Sequence, residues 1–569
     1  MKKRFLLRIY IISGLVFLIA FTLIGRLYFV QIIHGVEFSD EALGQYTKSS
    51  NNLYDRGTIF MEDKNNRIVS GATLKSGFTI VINPKILKDP LIVYEKLSEV
   101  IDIDKDKFFM RAGKKEDIYE EVAKRVDAKK ANVIDDMDIK GVSVYKDRWR
   151  FYPGNEIAAH TFGFVGYIGD EFSGRYGLES YYNDILERND SDLYVNFFAE
   201  IFANINSVVF KKKDRSGDII TSIEPSVQLL LENKLKEINK KWNSKITGGV
   251  IINPKNGEIY AIGVIPAFNL NDFQSAEDAS VFSNPIVENV YEMGSIIKAL
   301  TMAAGIDSGA ITAETTYYDA GKIKLNGYTI SNFDGKGRGT VSMQEVLNQS
   351  LNTGVSFIVS KMGNKVFADY MRLFGIGDET GIDLPNESAG LAENLNSPRD
   401  LEYATASFGQ GIAMTPISTV RALSALANGG VLINPHIVKK IKYTSGFSKK
   451  ISFNDELRVI KKESAEEITR MLVNVVDNAL LGGKVKLDNY TVAAKTGTAQ
   501  IADLNNGGYF DDKFLHSFFG YFPAYDARFL VFLFTIEPKE TPYASQTLTH
   551  PFYDIVNFLI NYYEIPPDR

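Results

Sequence analysis

The chain has 569 residues and no cysteine. Disulfides, thiol nucleophiles and cysteine-held metals are excluded at once. Histidine is scarce as well: five residues, at positions 34, 160, 436, 516 and 550, with no pair at a metal-binding spacing. There is no HExxH, no phosphate-cradling P-loop and no GxSxG elbow. Zinc hydrolysis, nucleotide hydrolysis and the common histidine-based serine triads therefore find no support, and no metal or cofactor is expected. The net charge is only −6, and no dense basic patch points to nucleic acid. The run Lys211–Arg215 reads as a solvated turn. No internal repeat or low-complexity linker stands out. Aromatic residues are plentiful (37 Phe, 29 Tyr) and read as core and sheet surface, with no stacking platform among them.

What remains is a set of three short motifs in fixed order. They are Ser295-Ile-Ile-Lys298, Ser350-Leu-Asn352 and Lys495-Thr-Gly-Thr498, with 55 positions from Ser295 to Ser350 and 145 from Ser350 to Lys495. Each is weak alone, and the chain carries decoys. Ser143-Val-Tyr-Lys146 also reads SxxK, but it sits in a β-branched and aromatic stretch, 142–152, that predicts a strand. Residues three apart on a strand face opposite ways, so that pair cannot meet. Ser49-Ser-Asn51, Ser50-Asn-Asn52 and Lys75-Ser-Gly77 fall outside any usable order.

Ser295 differs because it follows Gly294 and opens an apolar helix, Ser295–Gly305. On a helix, positions i and i+3 share a face, so Lys298 is expected to reach the Ser295 hydroxyl. A serine hydroxyl needs a neighbour to take its proton, and lysine can do that only when uncharged. Burial and a second cation both favour the neutral amine, and Lys495 is the candidate cation. Its surroundings, 490–500, predict a strand passing a cleft. Gly497 is expected to leave room there for a ligand. Thr496 and Thr498 offer hydroxyls suited to a carboxylate. Ser350 and Asn352 fall between two helical stretches, roughly 341–350 and 353–373, on a loop that could aim them at the Ser295–Lys298 pair.

The N-terminus is basic through Arg8, uncharged from Ile9 to Gly25, and followed by Arg26 without a small-residue cleavage site. This predicts an uncleaved transmembrane anchor with residues 1–8 in the cytoplasm and the remainder outside. Three regions are expected: 1–32, 33–235 and 236–569. The second mixes short strands with a charged helical stretch, Lys105–Lys130. A helix over Pro225–Trp242 leads into the third. There, a strand pair from Gly248 precedes a helical middle, and late strands (491–501, 515–523, 528–537) precede a closing helix near 551–563. Strands at both ends with helices between predict an α+β layout with one sheet assembled from distant segments.

The three motifs and their flanks resemble the class B penicillin-binding proteins, the monofunctional peptidoglycan D,D-transpeptidases. The resemblance rests on Tyr291-Glu-Met-Gly-Ser-Ile-Ile-Lys298, Gly249–Glu258, Phe408-Gly-Gln-Gly411 with Thr415-Pro416, and Ser517–Ala524. Upstream, Arg56-Gly57, Arg150–Pro153, Ala158–His160 and Gly177–Glu179 resemble the non-catalytic pedestal. Met293 stands where the family usually has proline, and Glu224 where aspartate is common. A stretched Met61-Glu-Asp63 follows Phe60.

The resemblance implies an anchor (1–32), an elongated mixed pedestal of the dimerisation type (33–235) and a transpeptidase domain with a central antiparallel sheet flanked by helices (236–569). It implies Ser295 as nucleophile toward a D-Ala-D-Ala stem peptide, Lys298 as base and Ser350 as proton relay. Asn352 would face the substrate amide, and Lys495, Thr496, Gly497 and Thr498 the terminal carboxylate. Backbone N–H groups of Ser295 and Thr498 would form the oxyanion hole. β-Lactams would acylate Ser295 as mimics. A polytopic membrane glycosyltransferase is the implied partner, and the Tyr-Glu-x-Gly-Ser stretch favours a division-type over an elongation-type enzyme. A carboxypeptidase, a β-lactamase and a non-catalytic scaffold or sensor on the same fold are the alternatives.

Overall fold

The computed structural model describes residues 14–26, 54–169, 171–188, 216–451, 457–503 and 506–569. Residues 14–26 are helical and exposed throughout. Residues 9–13 of the expected anchor, its cytoplasmic tip and the Lys211–Arg215 run lie outside the described residues. Among the described residues no helix is long and apolar enough to cross a membrane.

The chain divides into two compact units. The smaller centres on residues 75–149. Its core joins Ile80, Ile82, Leu97, Phe108, Val122, Val126, Ala131 and Ile134. Here the charged stretch Lys105–Lys130 is not one helix. A helix Lys105–Ala112 gives way to a strand, Glu120–Val126, and then to a helix, Ala128–Asp136. Asp104 and Asp127 cap the two helices, accepting from Lys107 N and from Lys129 and Lys130 N. A bulge hides the strand's alternation: Phe78 pairs with Val126 but Ile80 with Ala123, and Arg125 has φ 57°. Ser143 and Lys146 lie on the strand Val142–Phe151, as expected of that decoy.

The larger unit holds residues 56–74, 150–188 and the remainder from 204 onward. Its main sheet has five strands, all antiparallel. In spatial order they are Ala493–Ala502, Tyr509–Phe522, Phe529–Ile536, Ile246–Ile252 and Ile259–Ile265. Early and late segments thus meet in one sheet, as the strand pattern predicts. The strand Phe529–Ile536 is buried at every position. Phe529, Val531 and Leu533 pack against the helices Pro225–Trp242 and Thr549–Tyr562. Leu530, Phe532 and Phe534 join the other core, with Ile296, Ile297 and Leu300. Helices on both faces explain why this strand is apolar at every position but Thr535, with no alternation. Glu224 caps the first of these helices, accepting from Val227 N at 2.7 Å, and takes a bond from Tyr562 OH at 2.8 Å.

The upstream residues of the family resemblance also gather in this larger unit. Arg56 and Arg150 converge on Glu179 at 2.6 and 2.5 Å, and Tyr152 OH adds a bond at 3.1 Å. All four residues are buried. Burial would raise the Glu179 pKa, but the two guanidinium charges outweigh it and hold it below the ordinary value. Its stabilising contribution is therefore present above the unfolded value and lost only as pH falls through the lowered folded one. Glu179→Ala removes the carboxylate these two buried cations share. The expected loss of stability is about 3–5 kcal/mol, measured by denaturant unfolding.

Candidate active site

The motif of the expected nucleophile, Ser295, begins in a 3₁₀ turn, Gly294–Ile296, and continues as the helix Ile297–Asp307. Nine consecutive residues of that helix, Ile297–Gly305, are buried, so it is a central helix, apolar all round but for Lys298 and Thr301. Three glycines bring three distant segments onto the turn. Gly294 has φ 64°, and a Cβ there would lie 2.7 Å from the Thr498 carbonyl oxygen. A Cβ on Gly409 would lie 2.3 Å from the Gly294 oxygen. One on Gly497 would meet Ser517 Oγ at 2.3 Å and the Met293 oxygen at 2.8 Å. The space that Gly497 leaves is thus filled by the nucleophile turn itself, not kept for a ligand. Met293, in the usual proline position, is buried, and its carbonyl accepts from Ser517 Oγ at 2.9 Å.

Lys298 and Lys495 meet at Ser350. Lys298 Nζ donates to the Ser350 carbonyl at 2.5 Å and lies 3.1 Å from Ser350 Oγ. Lys495 Nζ reaches the same Oγ at 3.0 Å and the Thr496 carbonyl at 3.1 Å. Ser350 has φ 55°, a left-handed conformation that turns its carbonyl and hydroxyl toward the amines. In this structure neither bond of Lys298 goes to Ser295, whose hydroxyl has no hydrogen-bond partner among the described residues. The direct Ser295–Lys298 bond expected from the i, i+3 spacing is therefore not formed, because Lys298 is engaged by Ser350 instead.

Both amines are almost completely buried. Burial, and then the charge of Lys495, push the Lys298 pKa well below its ordinary value. Burial alone brings Lys495 down to about 8. Of the two amines sharing this hydroxyl, Lys298 is the one pushed further toward the uncharged form.

The Ser350–Asn352 loop is held from behind. Thr353 Oγ1 donates to Asp319 Oδ1 at 2.8 Å, and Thr353 N to Asn332 Oδ1 at 3.2 Å. Asn332 Nδ2 donates to both Asp319 oxygens. Asn352 Nδ2 is engaged by the Ser331 carbonyl at 2.9 Å. Neither Asp319 nor Asn332 stands in a sequence pattern that could have flagged it. Glu292, three residues before Ser295, lies within the stretch that carries the family resemblance but was given no role there. Its Oε1 accepts from Gly411 N at 2.8 Å and from Tyr509 OH at 3.1 Å, tying the nucleophile turn to two other segments. Thr496 and Thr498 are half-buried on the Lys495 strand, and Thr498 Oγ1 accepts from Ala544 N at 3.2 Å.

Residues 247–557 match the model of the penicillin-binding protein transpeptidase domain, and residues 54–222 that of the penicillin-binding protein dimerisation domain. The chain belongs to the penicillin-binding protein transpeptidase family. Among curated relatives, stage V sporulation protein D of Bacillus subtilis is 30% identical over 557 residues, 97% of this chain and 84% of that protein. The probable peptidoglycan D,D-transpeptidase PenA of Neisseria meningitidis is 27% identical over 90% of this chain and 85% of its own length. Among solved structures, penicillin binding protein 2X of Streptococcus thermophilus superposes with a TM-score of 0.73 at 22% identity, covering 90% of this chain and 80% of that one. It shares the fold.

In this transpeptidase, the coupling of the two amines can be read directly. Lys495→Ala removes the nearby charge, so the Lys298 pKa is expected to rise. The rise should be partial, because burial is the larger cause of the depression. An NMR titration of the labelled lysine checks both the direction and the incompleteness.

Proposed function

We propose that this protein is a membrane-anchored peptidoglycan D,D-transpeptidase that cross-links stem peptides through an acyl-enzyme on Ser295. The observation that carries the reading is the pair of buried amines sharing the Ser350 hydroxyl beside the nucleophile turn. Lys298, its pKa pushed well down by burial and by Lys495, accepts the Ser295 proton in its uncharged form as Oγ attacks the D-Ala-D-Ala carbonyl. Backbone N–H groups of Ser295 and Thr498 receive the oxyanion, at about 3–4 kcal/mol per donor. Ser350, bonded to both amines, passes the proton from Lys298 to the nitrogen of the departing D-Ala. The acyl-enzyme is released when an amine of a second stem peptide attacks it and returns its proton along the same path. Lys495, Thr496 and Thr498 hold the terminal carboxylate, and Asn352 orients the substrate amide. β-Lactams acylate Ser295 in the same way, but the ring-opened product is not released.

The uncharged stretch Ile9–Gly25 between Arg8 and Arg26 supports an anchor in the bacterial cytoplasmic membrane, with the catalytic unit outside, where the wall polymer lies. The Tyr291-Glu-Met-Gly-Ser295 stretch supports a septal role alongside a polytopic glycosyltransferase. Ser295→Ala and Lys298→Met are each expected to abolish covalent labelling by fluorescent penicillin while circular dichroism shows a folded chain. Persistent labelling of either variant assigns the chemistry elsewhere. A fluorescently tagged copy is expected to concentrate at midcell during division; uniform side-wall signal removes the septal reading.

A further inference from the structure

His516 lies outside the three motifs, yet it stands directly opposite Thr498 in the antiparallel pair of the Lys495 strand and Tyr509–Phe522. Opposed residues in such a pair project from the same face of the sheet. The segment Thr541–Thr547, which ends in the short helix Ala544–Thr547, connects the two side chains. His516 Nδ1 is 3.0 Å from Thr547 Oγ1. Thr547 Oγ1 donates to the Ala544 carbonyl at 3.1 Å. The N–H of the same Ala544 donates to Thr498 Oγ1 at 3.2 Å. Two paired strands and one turn thus close a ring, and His516 and Thr547 are both fully buried within it.

The ring gives the Thr498 hydroxyl a direction. A hydroxyl has one hydrogen and two lone pairs. The Ala544 N–H occupies a lone pair and cannot accept in return, so the Thr498 hydrogen must serve another acceptor. No side-chain or backbone acceptor among the described residues takes it. Thr498 therefore offers a donor beside the nucleophile turn, which suits a carboxylate oxygen. If the turn lost its hold, Ala544 N would lose its aim and the hydroxyl could rotate away.

We infer that His516 is a positioning residue: through Thr547 and Ala544 it orients the Thr498 hydroxyl for the substrate carboxylate. The inference rests on the proposed role of Thr498 and adds to it a residue that touches no substrate. The imidazole suits the task because it stays neutral. Burial holds its pKa down to about 4, with the Pro542 carbonyl opposing in part. The brace is therefore unchanged across the working pH range.

The test compares acylation of the full chain by benzylpenicillin and by its methyl ester, which lacks the carboxylate charge. Wild type is expected to prefer the acid. His516→Phe, which keeps a ring but loses the polar contact, is expected to reduce that preference about tenfold while the ester rate stays near wild type. Thr547→Val should reproduce the effect by breaking the middle link. His516→Asn, which restores a polar group near the Nδ1 position, should recover most of the preference. A wild type that does not distinguish acid from ester overturns the carboxylate role of Thr498 itself. A discriminating wild type with full discrimination in folded His516→Phe and Thr547→Val overturns the positioning role alone. An equal fall in acid and ester rates in both variants also overturns it, because a general packing defect affects both substrates. If His516→Phe does not fold, Thr547→Val decides by the same comparison.

Discussion

Three backbones approach within van der Waals contact at the nucleophile turn, and nothing larger than glycine fits where they meet. Gly294 faces the Thr498 carbonyl, Gly409 faces Gly294, and Gly497 faces Met293 and Ser517. This crowding fixes how far the Lys495 strand stands from the helix that carries Lys298. The two amines reach one serine hydroxyl because the main chains beneath them cannot move apart or closer without breaking contact or colliding. The central helix beyond the turn, buried on all sides, makes the arrangement rigid.

Rigidity matters because the electrostatics are unfavourable by design. Two lysines are held out of water within reach of the same oxygen. In solution both would be charged. Here desolvation pushes both toward the uncharged form, and the charge of Lys495 pushes Lys298 further. Folding energy elsewhere, in the two apolar cores that sandwich the five-stranded sheet, sustains this local strain. The buried Arg56–Glu179–Arg150 cluster is built on the opposite principle. There a carboxylate and two cations compensate one another, and the site is structural.

Much of this was legible in the sequence. The late strands, the helix Pro225–Trp242 and the closing helix follow from apolar runs and capping patterns, and the motif order brings Ser350 and Lys495 to Lys298. Other features were hidden for identifiable reasons. The bulge at Arg125 broke the alternation that marks Glu120–Val126 as a strand, and the surrounding charge imitated a helix. The role of Gly497 was misread because a missing side chain says that something lies close, not what. Asp319 and Asn332 support the Ser350 loop from a distance of some twenty to thirty positions, and His516 acts through a turn near residue 544. Such contacts depend on tertiary geometry that no local pattern encodes.

The order of strands in the main sheet bears on how such an enzyme comes into being. Ile246–Ile252 pairs with Phe529–Ile536, and the strand bearing Lys495 sits at the far edge of the sheet, hydrogen-bonded within it to Tyr509–Phe522. The reactive serine emerges from the ribosome 200 positions before that lysine, and the strands that seat the lysine come later still. A partly synthesised chain therefore carries Ser295 and Lys298 without Lys495, whose charge adds to burial in lowering the Lys298 pKa. Long-range pairing of this kind closes slowly, so the complete set of three side chains is assembled only after the late strands have been made.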